Sequence, residues 1–213
     1  MAHVIAVAGK GGVGKTTLCG LLIQYLCDKK KTPVLAVDAD ANSNLNEVLG
    51  VDVEMTLGEI REDVERSADS ATSKIPAGMS KADYMEMMVN RCLIEDDDFD
   101  MLVMGRTQGK GCYCFVNGLL QAQLAKLTPN YPYMVVDNEA GMEHISRGIL
   151  PKVDTVILVS DCSRRGVQAV GRIKELIKEC DLHPTSIGLI INRAPEGKLN
   201  QGTMEEVEKQ GLD

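Results

Sequence analysis

The fold class is decided near the N-terminus, by the stretch Val4-Ile5-Ala6-Val7-Ala8-Gly9-Lys10-Gly11-Gly12-Val13-Gly14-Lys15-Thr16-Thr17. The apolar run at its start predicts a buried strand, and an apolar helical pattern follows the glycines. Between them, Gly9 to Thr16 fits the pattern G-x-x-x-x-G-K-[ST] without a gap. Such a loop turns backbone N–H groups toward phosphate oxygens, and the helix N-terminus adds partial positive charge. The sequence therefore predicts a phosphate-binding loop whose nucleotide contacts are Gly11, Gly12, Val13, Gly14, Lys15, Thr16 and Thr17.

Further apolar runs have the length and composition of buried parallel strands, at residues 33–37, 101–104, 133–136, 155–160 and 187–191. Helical patterns alternate with several of them, at residues 118–127 and 166–179. This alternation predicts right-handed βαβ units and a sheet covered on both faces. We expect a three-layer, doubly wound α/β fold with a mostly parallel sheet and ligands at the carboxyl ends of the strands.

The length of 213 residues is that of one domain, and we expect a single P-loop domain over residues 1–213. Residues 61–100 are more polar, and we interpret them as an excursion with a helix near 81–91 and a solvated acidic turn at 95–98. A helix predicted at 202–210 follows the last strand, with no further strand after it. We therefore expect that a C-terminal part of the domain is missing.

Composition excludes several classes of protein. The formal net charge is −8 with a pI near 5.0, so the surface repels nucleic acid and anionic lipid. No apolar run is long enough to span a bilayer, and the apolar N-terminal run leads straight into the loop, as a strand does and a signal sequence does not. Seven cysteines at irregular spacing argue against a disulfide framework. We expect a cytoplasmic protein with neither nucleic acid nor membrane as a partner.

Acidic residues follow two of the predicted strands: Asp38 and Asp40 after the second, and Asp137 after the fourth. Because carboxyl ends of parallel strands share one edge of the sheet, these side chains are expected near the loop. Carboxylates there can hold waters of Mg²⁺ or orient an attacking water. Within the loop, we expect Lys15 on the β- and γ-phosphates and the Thr16 hydroxyl on Mg²⁺.

An additional lysine, Lys10, gives the loop the form G-K-G-G-V-G-K-T. In this the chain resembles the deviant phosphate-loop ATPases, which include the MinD and ParA proteins, the arsenite-pump ATPase and the nitrogenase iron protein. In that family the extra lysine crosses a dimer interface to the partner's nucleotide, like an arginine finger. The resemblance implies a homodimer in which Lys10, Lys15 and Asp40 serve catalysis, with Asp40 positioning the attacking water. It also implies that Asp38 and Asp137 support Mg²⁺.

The base is expected to be adenine. The guanine-reading pattern N-K-x-D is absent from the chain. Asn192 and Arg193 end the last predicted strand, where the resembled family uses an asparagine to contact adenine. The expected nucleotides are therefore ATP and ADP.

Cys112 and Cys114 form a C-x-C pair between a strand and a helix, preceded by Gly109-Lys110-Gly111. The neighbouring lysine and helix N-terminus lower the pKa of the thiols and favour the ligating thiolate. A disulfide between residues two apart closes a strained ring, so metal binding is the better interpretation. Two thiolates leave a four-coordinate site half built, and a second copy of the chain is the simplest supplier of the rest.

The loop, the C-x-C pair and the segment Asp137-Asn138-Glu139-Ala140-Gly141-Met142-Glu143-His144 together resemble the CooC family over nearly the whole chain. These ATPases assist nickel insertion into carbon monoxide dehydrogenase. The resemblance implies a dimer formed with nucleotide or metal, and Ni²⁺ or Zn²⁺ bound by Cys112 and Cys114 of both chains. It also implies apo carbon monoxide dehydrogenase, or the related acetyl-CoA synthase, as the client.

Two other functional classes stay open. A MinD- or ParA-like positioning or partitioning ATPase would need a membrane-seeking tail or a basic patch, and neither is visible in the sequence. An iron–sulfur electron-transfer ATPase, like the nitrogenase iron protein, also builds a site of four cysteines across a dimer. Its cysteines are well separated in sequence, whereas this pair lies in one loop.

Overall fold

The computed structural model describes residues 2–40, 44–66, 75–105, 114–138 and 152–212, without the side chains of residues 61, 65–66, 114–117 and 119–120. Over these ranges the strands are β1 (His3–Gly9), β2 (Val34–Ala39), β3 (Ile94–Glu95), β4 (Phe99–Val103), β5 (Tyr133–Asn138), β6 (Thr155–Asp161) and β7 (Ser186–Asn192). The α-helices are α1 (Lys15–Asp28), α2 (Leu45–Leu49), α3 (Leu57–Arg66), α4 (Lys81–Cys92), α5 (Cys114–Leu127), α6 (Arg164–Glu179) and α7 (Gln201–Lys209). Short 3₁₀ helices cover Thr128–Asn130 and Pro195–Gly197.

The strands form one sheet in the order β3-β4-β2-β5-β1-β6-β7, parallel except for β3. Side chains alternate across the sheet, so that Val4 and Ala6 of β1 belong to one core and Val7 to the other. Helices α3 to α6 pack on the first face, and α1 and α2 on the second. The prediction of a three-layer, mostly parallel α/β fold is confirmed.

The central strands bring the site together. β5 lies between β2 and β1, with Asp137 in register with Asp38 on one side and with Val7 on the other. The loop that follows β1 therefore lies at the same edge of the sheet as both aspartates.

The predicted strands are confirmed, and the differences concern one short strand and three helices. The prediction that Glu95 is part of a turn is wrong: Glu95 belongs to the short strand β3, antiparallel to β4, and the turn covers residues 96–98. Helices α2 and α3 were not predicted, although Leu57, Ile60 and Val64 of α3 are fully buried at helical spacing. The helix expected from residue 118 begins at Cys114.

None of the helices in the described ranges is both long and apolar enough to cross a lipid bilayer.

Candidate nucleotide site

The loop between β1 and α1 has a backbone that its glycines permit. Gly12 (φ +77°) and Gly14 (φ +97°) are in the left-handed region, which residues with a Cβ atom rarely adopt. Gly14 immediately precedes α1, so the N–H groups of the first helical turn face the loop. The Lys15 ammonium donates to the carbonyl oxygen of Lys10 over 3.4 Å, and Lys15 is buried. The loop therefore brings together backbone N–H groups, a helix N-terminus and the hydrogen-bonded Lys15 ammonium, which are the groups that bind phosphate.

The loop is braced from outside by Asn192, at the end of β7. Its Nδ2 donates to the carbonyl oxygen of Val13 over 2.9 Å, and its Oδ1 accepts from the backbone N–H of Arg193 over 2.8 Å. A Cβ atom on Gly14 would lie 2.6 Å from the Asn192 amide nitrogen and would displace this amide from the loop. The adenine contact stays a prediction, and the structure adds a second role for Asn192 as a support of the loop.

Asp38 is fully buried at the end of β2. Its Oδ1 accepts from the backbone N–H of Asp40 over 2.9 Å, and its Oδ2 from that of Leu45 over 3.0 Å. Burial raises the pKa of Asp38 to about 6, although these two hydrogen bonds act in the opposite direction. The carboxylate thus fixes the backbone on both sides of residues 41–43, which lie outside the described ranges.

Asp137 lies beside Asp38 at the end of β5 and is also buried. Burial raises the pKa of Asp137, and the nearby Thr16 hydroxyl and Lys15 ammonium counteract this rise. Among the residues that the structure describes, its Oδ1 has no hydrogen-bond partner. A buried carboxylate oxygen without a partner is costly unless a ligand or its water satisfies it.

These groups suit a hydrated magnesium ion. Mg²⁺ prefers oxygen ligands and keeps several of its waters, which carboxylates then hold. Thr16 supplies a hydroxyl, Asp38 and Asp137 supply adjacent carboxylates, and the Oδ1 of Asp137 is an acceptor still in need of a donor. The donor set expected from the sequence therefore fits the ion.

A groove of about 620 Å³ opens in front of the loop. Its volume is in the range of small-ligand sites. Asp40 is half-buried and lines the groove with the loop glycines, Lys15, Thr16 and Thr17. Arg193 also lines it, as expected from the sequence, and so do Asn44, Glu47 and Val48, which sequence reasoning missed.

The structure describes only part of the predicted thiol pair. Cys112 lies outside the described residues, and Cys114 is described as the first residue of α5 without its side chain. Among the side chains that are described, no group of three or more histidine, cysteine or acidic residues forms a metal site. The metal site at Cys112 and Cys114 therefore stays a prediction.

Two further residues of the site were not given a role from the sequence. Cys19 is buried, and it lies close enough to Asp137 to influence the pKa of that carboxyl group. Its position one helical turn after Lys15 was the available signal. Asn138 donates through Nδ2 to the carbonyl oxygen of Val7 over 3.1 Å, and no group in the described ranges donates to its buried Oδ1.

Comparison with known proteins agrees with this geometry. Residues 2–187 match the AAA domain family. An uncharacterized ATP-binding protein of Methanocaldococcus jannaschii is 45% identical over 190 residues, which cover 89% of this chain and 74% of that protein. The carbon monoxide dehydrogenase accessory protein CooC of Rhodospirillum rubrum is 28% identical over 214 residues, covering 90% of this chain and 80% of that protein.

Among solved structures, a ParA family ATPase from Chlorobium tepidum TLS superposes with a TM-score of 0.70 at 19% identity. The match covers 99% of this chain and 81% of that chain, and it shows a shared fold. The chain therefore belongs to the AAA domain family and has the fold of the MinD- and ParA-like P-loop ATPases.

Proposed function

We propose that this protein hydrolyses ATP as a homodimer and uses the cycle to deliver nickel to carbon monoxide dehydrogenase or the related acetyl-CoA synthase. The observation that carries the ATPase part is the pair of adjacent buried carboxylates, Asp38 and Asp137, beside the loop that holds Lys15 and Thr16. Burying two acids side by side is unfavourable for stability, because each must be desolvated and each repels the other. A magnesium–phosphate ligand would compensate that cost.

In the proposed reaction, loop amides and Lys15 bind the β- and γ-phosphates, and Asp40 orients the attacking water. Thr16, Asp38 and Asp137 would hold Mg²⁺, which supplies positive charge to the phosphates when bound. Asp38, with a pKa of about 6, is mostly ionised at neutral pH and can serve as an acceptor there.

The trans-acting role belongs to Lys10. Its side chain is exposed at the rim of the loop, unlike the buried Lys15. An exposed cation beside the nucleotide groove can reach the nucleotide of a facing protomer, in the manner of an arginine finger. ATP binding would thereby draw two protomers together.

Nickel is the proposed cargo, and three observations support it. The Cys-Tyr-Cys segment ends at the N-terminus of α5, where the helix dipole stabilises thiolates. Since α5 leads into the parallel strand β5, this N-terminus lies at the carboxyl-end edge of the sheet, as the phosphate loop does. The relative from Rhodospirillum rubrum is named as an accessory protein of carbon monoxide dehydrogenase.

The coupling would work through the spacing of sulfurs. Cys112 and Cys114 of two protomers supply four thiolates, a set that takes Ni²⁺ in a planar field or Zn²⁺ in a tetrahedral one. Closed and open dimers hold the sulfurs at different distances, so nucleotide state shifts metal affinity. Hydrolysis then releases nickel to the apo-enzyme.

Equilibrium dialysis with Ni²⁺ and with Zn²⁺ tests this proposal, alongside gel filtration with and without nucleotide. We expect one ion per dimer for the wild type and none for Cys112→Ala/Cys114→Ala. The matched control is Cys162→Ala/Cys180→Ala, two half-buried thiols in other parts of the fold, which should bind metal normally. Equally tight binding by the first double variant would refute the thiol site.

Two further readouts separate the alternative classes. ATP turnover stimulated by lipid vesicles or DNA would favour a positioning or partitioning ATPase. A brown, redox-active purified protein would favour an iron–sulfur carrier.

A further inference from the structure

A second groove lies beside the nucleotide groove, between α1, α2 and the turn that joins β3 to β4. We name it the α1–α2 groove and define it by the apolar residues Leu21, Val48 and Phe99 and the acidic residues Asp28, Asp96 and Asp98. Its volume is about 550 Å³. Leu21 is 59% exposed and Val48 46% exposed, so their apolar surface faces solvent across a ligand-sized concavity.

The apolar surface continues along α1. Tyr25, one helical turn after Leu21, is 56% exposed, and the Lys29 ammonium lies 5.5 Å from the centre of its ring. Adjacent exposed apolar residues of this kind mark an interaction surface more often than scattered single ones do.

The rim of the α1–α2 groove is negative. The described residues that line it include three aspartates and neither lysine nor arginine. Burial and the carboxylates of Asp98 and Asp28 all raise the pKa of the Cys27 thiol inside the groove, as a negative local potential would. Such a rim repels nucleic acid and anionic lipid, and it attracts a cationic segment. A second copy of this chain, with a formal net charge of −8, is a poor electrostatic match for the groove.

The α1–α2 groove is connected to the nucleotide groove. Thr17 and Val48 line both of them. The first residue of α2, Leu45, donates its backbone N–H to the Oδ2 of Asp38 over 3.0 Å. A Cβ atom on Gly20 of α1 would collide with the Val48 side chain, so α2 packs closely against α1 at this glycine. A change at Asp38 on nucleotide binding would therefore move the wall of the groove.

We propose that the α1–α2 groove docks a basic, amphipathic segment of a partner protein, and that bound nucleotide changes the affinity of this docking. The apolar side of the segment covers Leu21 and Val48, and its lysine or arginine side chains face Asp28, Asp96 and Asp98. The proposal does not depend on the metal that the protein carries. By linkage, nucleotide and docked segment must change each other's binding by the same factor.

Fluorescence anisotropy with a labelled synthetic peptide tests the docking. The probe is an amphipathic helix of leucine, alanine and lysine, and its counterpart carries glutamate in place of lysine. We expect the lysine peptide to bind the wild type and the glutamate peptide to show no binding. Leu21→Ser and Asp96→Lys/Asp98→Lys should each weaken binding about tenfold or more, as loss of a central contact in an interface does.

Matched controls come from neighbouring residues. Asp97→Lys changes an exposed acid on the same turn that does not line the groove, and Met204→Ser changes an apolar residue of α7 that is 52% exposed. Both should bind the peptide as the wild type does. Repeating the titration with ATP and Mg²⁺ should shift the peptide's Kd at least about fivefold, a typical coupling between two sites.

Several results would overturn the proposal. Equal weakening by Asp97→Lys and by Asp96→Lys/Asp98→Lys would mean unspecific charge attraction. A change in the oligomeric state of Leu21→Ser, with unaltered peptide binding, would assign the surface to contacts between copies of this chain. An affinity independent of nucleotide would refute the coupling.

Discussion

Aspartates lie at both ends of the parallel strands, and they differ in whether their oxygens have partners. At the amino ends, Asp154 is satisfied: its Oδ2 accepts from the backbone N–H of Val4 over 3.0 Å, and its Oδ1 lies 3.5 Å from the Lys152 ammonium. At the carboxyl ends, Asp137 is buried next to the buried Asp38, and one of its oxygens has no hydrogen-bond partner within the described part of the chain.

The difference separates structural from functional carboxylates. An acid whose oxygens are paired contributes to folding and leaves nothing for a ligand, whereas a buried acid with an unpaired oxygen costs stability that a bound ligand can restore. We therefore predict a chemical role for the carboxyl-end cluster and a role in folding for the amino-end cluster. The following predictions test that assignment, beginning with the largest expected effect.

Lys10→Ala should lower ATP turnover about a thousandfold while ATP still binds, because a trans-acting cation contributes at least about that much to phosphoryl transfer. Steady-state ATPase assays and nucleotide titration by calorimetry measure the two quantities. Lys152→Ala, which removes an exposed lysine at the amino ends, is the matched control and should leave both unchanged. Full turnover in Lys10→Ala would contradict the trans-acting role.

Asp137→Asn should lower turnover roughly a hundredfold, a typical loss when one preorganised electrostatic group is removed from a site. The free energy of unfolding without nucleotide should rise at neutral pH, because burial raises the pKa of Asp137 and the variant removes the buried charge. Asp154→Asn should do the opposite, with normal turnover and a loss of stability of about 1 kcal/mol or less. Assays paired with urea unfolding compare them, and the assignment fails if both variants behave alike.

The stability of the nucleotide-free protein should depend on pH through Asp38. Its pKa is raised from 3.8 to about 6 by burial, so its favourable contribution is fully present below pH 3.8 and is lost as the pH rises through about 6. This loss amounts to roughly 3 kcal/mol, since one pKa unit corresponds to about 1.4 kcal/mol. Urea unfolding across this range should show the decline in wild type and in Asp154→Asn, and a smaller decline in Asp38→Asn. Parallel curves for wild type and Asp38→Asn would be incompatible with this pKa.

The smallest expected effect concerns β7, which carries a polar residue at each end. Asn192→Ala should raise the Kd for ATP about fivefold by removing one hydrogen bond that supports the loop. Ser186→Ala at the amino end should leave the Kd unchanged. If Asn192 acts only on the loop, GTP binding weakens by the same factor as ATP binding. A loss confined to ATP would instead assign the amide to the adenine base.

Much of the fold follows from local patterns. The apolar runs of the parallel strands and the glycine-rich loop each depend on residues adjacent in sequence, so they were predictable. The strand β3 was not, because two residues in an acidic stretch become a strand only by pairing with β4. Helix α3 was missed because its buried residues are diluted by charged ones, although their spacing was helical.

The sequence predicted which residues belong to the candidate site, and their roles stay predictions; it did not predict the environment of these residues. Lys15, Thr16, Asp38 and Asp137 follow from the loop motif and from the carboxyl ends of strands. The support of the loop by Asn192, which is 179 positions away from Val13, had no local signal. The packing of α2 against α1, which forms one wall of the α1–α2 groove, had no local signal in the sequence either.

The sequence by itself determined the phosphate loop, the parallel α/β class and the acids at the strand ends, because glycine content and hydrophobic periodicity act over a few neighbouring residues. Only the tertiary structure decided that β5 lies between β1 and β2, which places Asp137 against Asp38 although the two are far apart in the chain. Strand order then determines which carboxylate loses its water and which keeps a partner. Desolvation depends on everything packed around a group, and no short stretch of sequence contains that information.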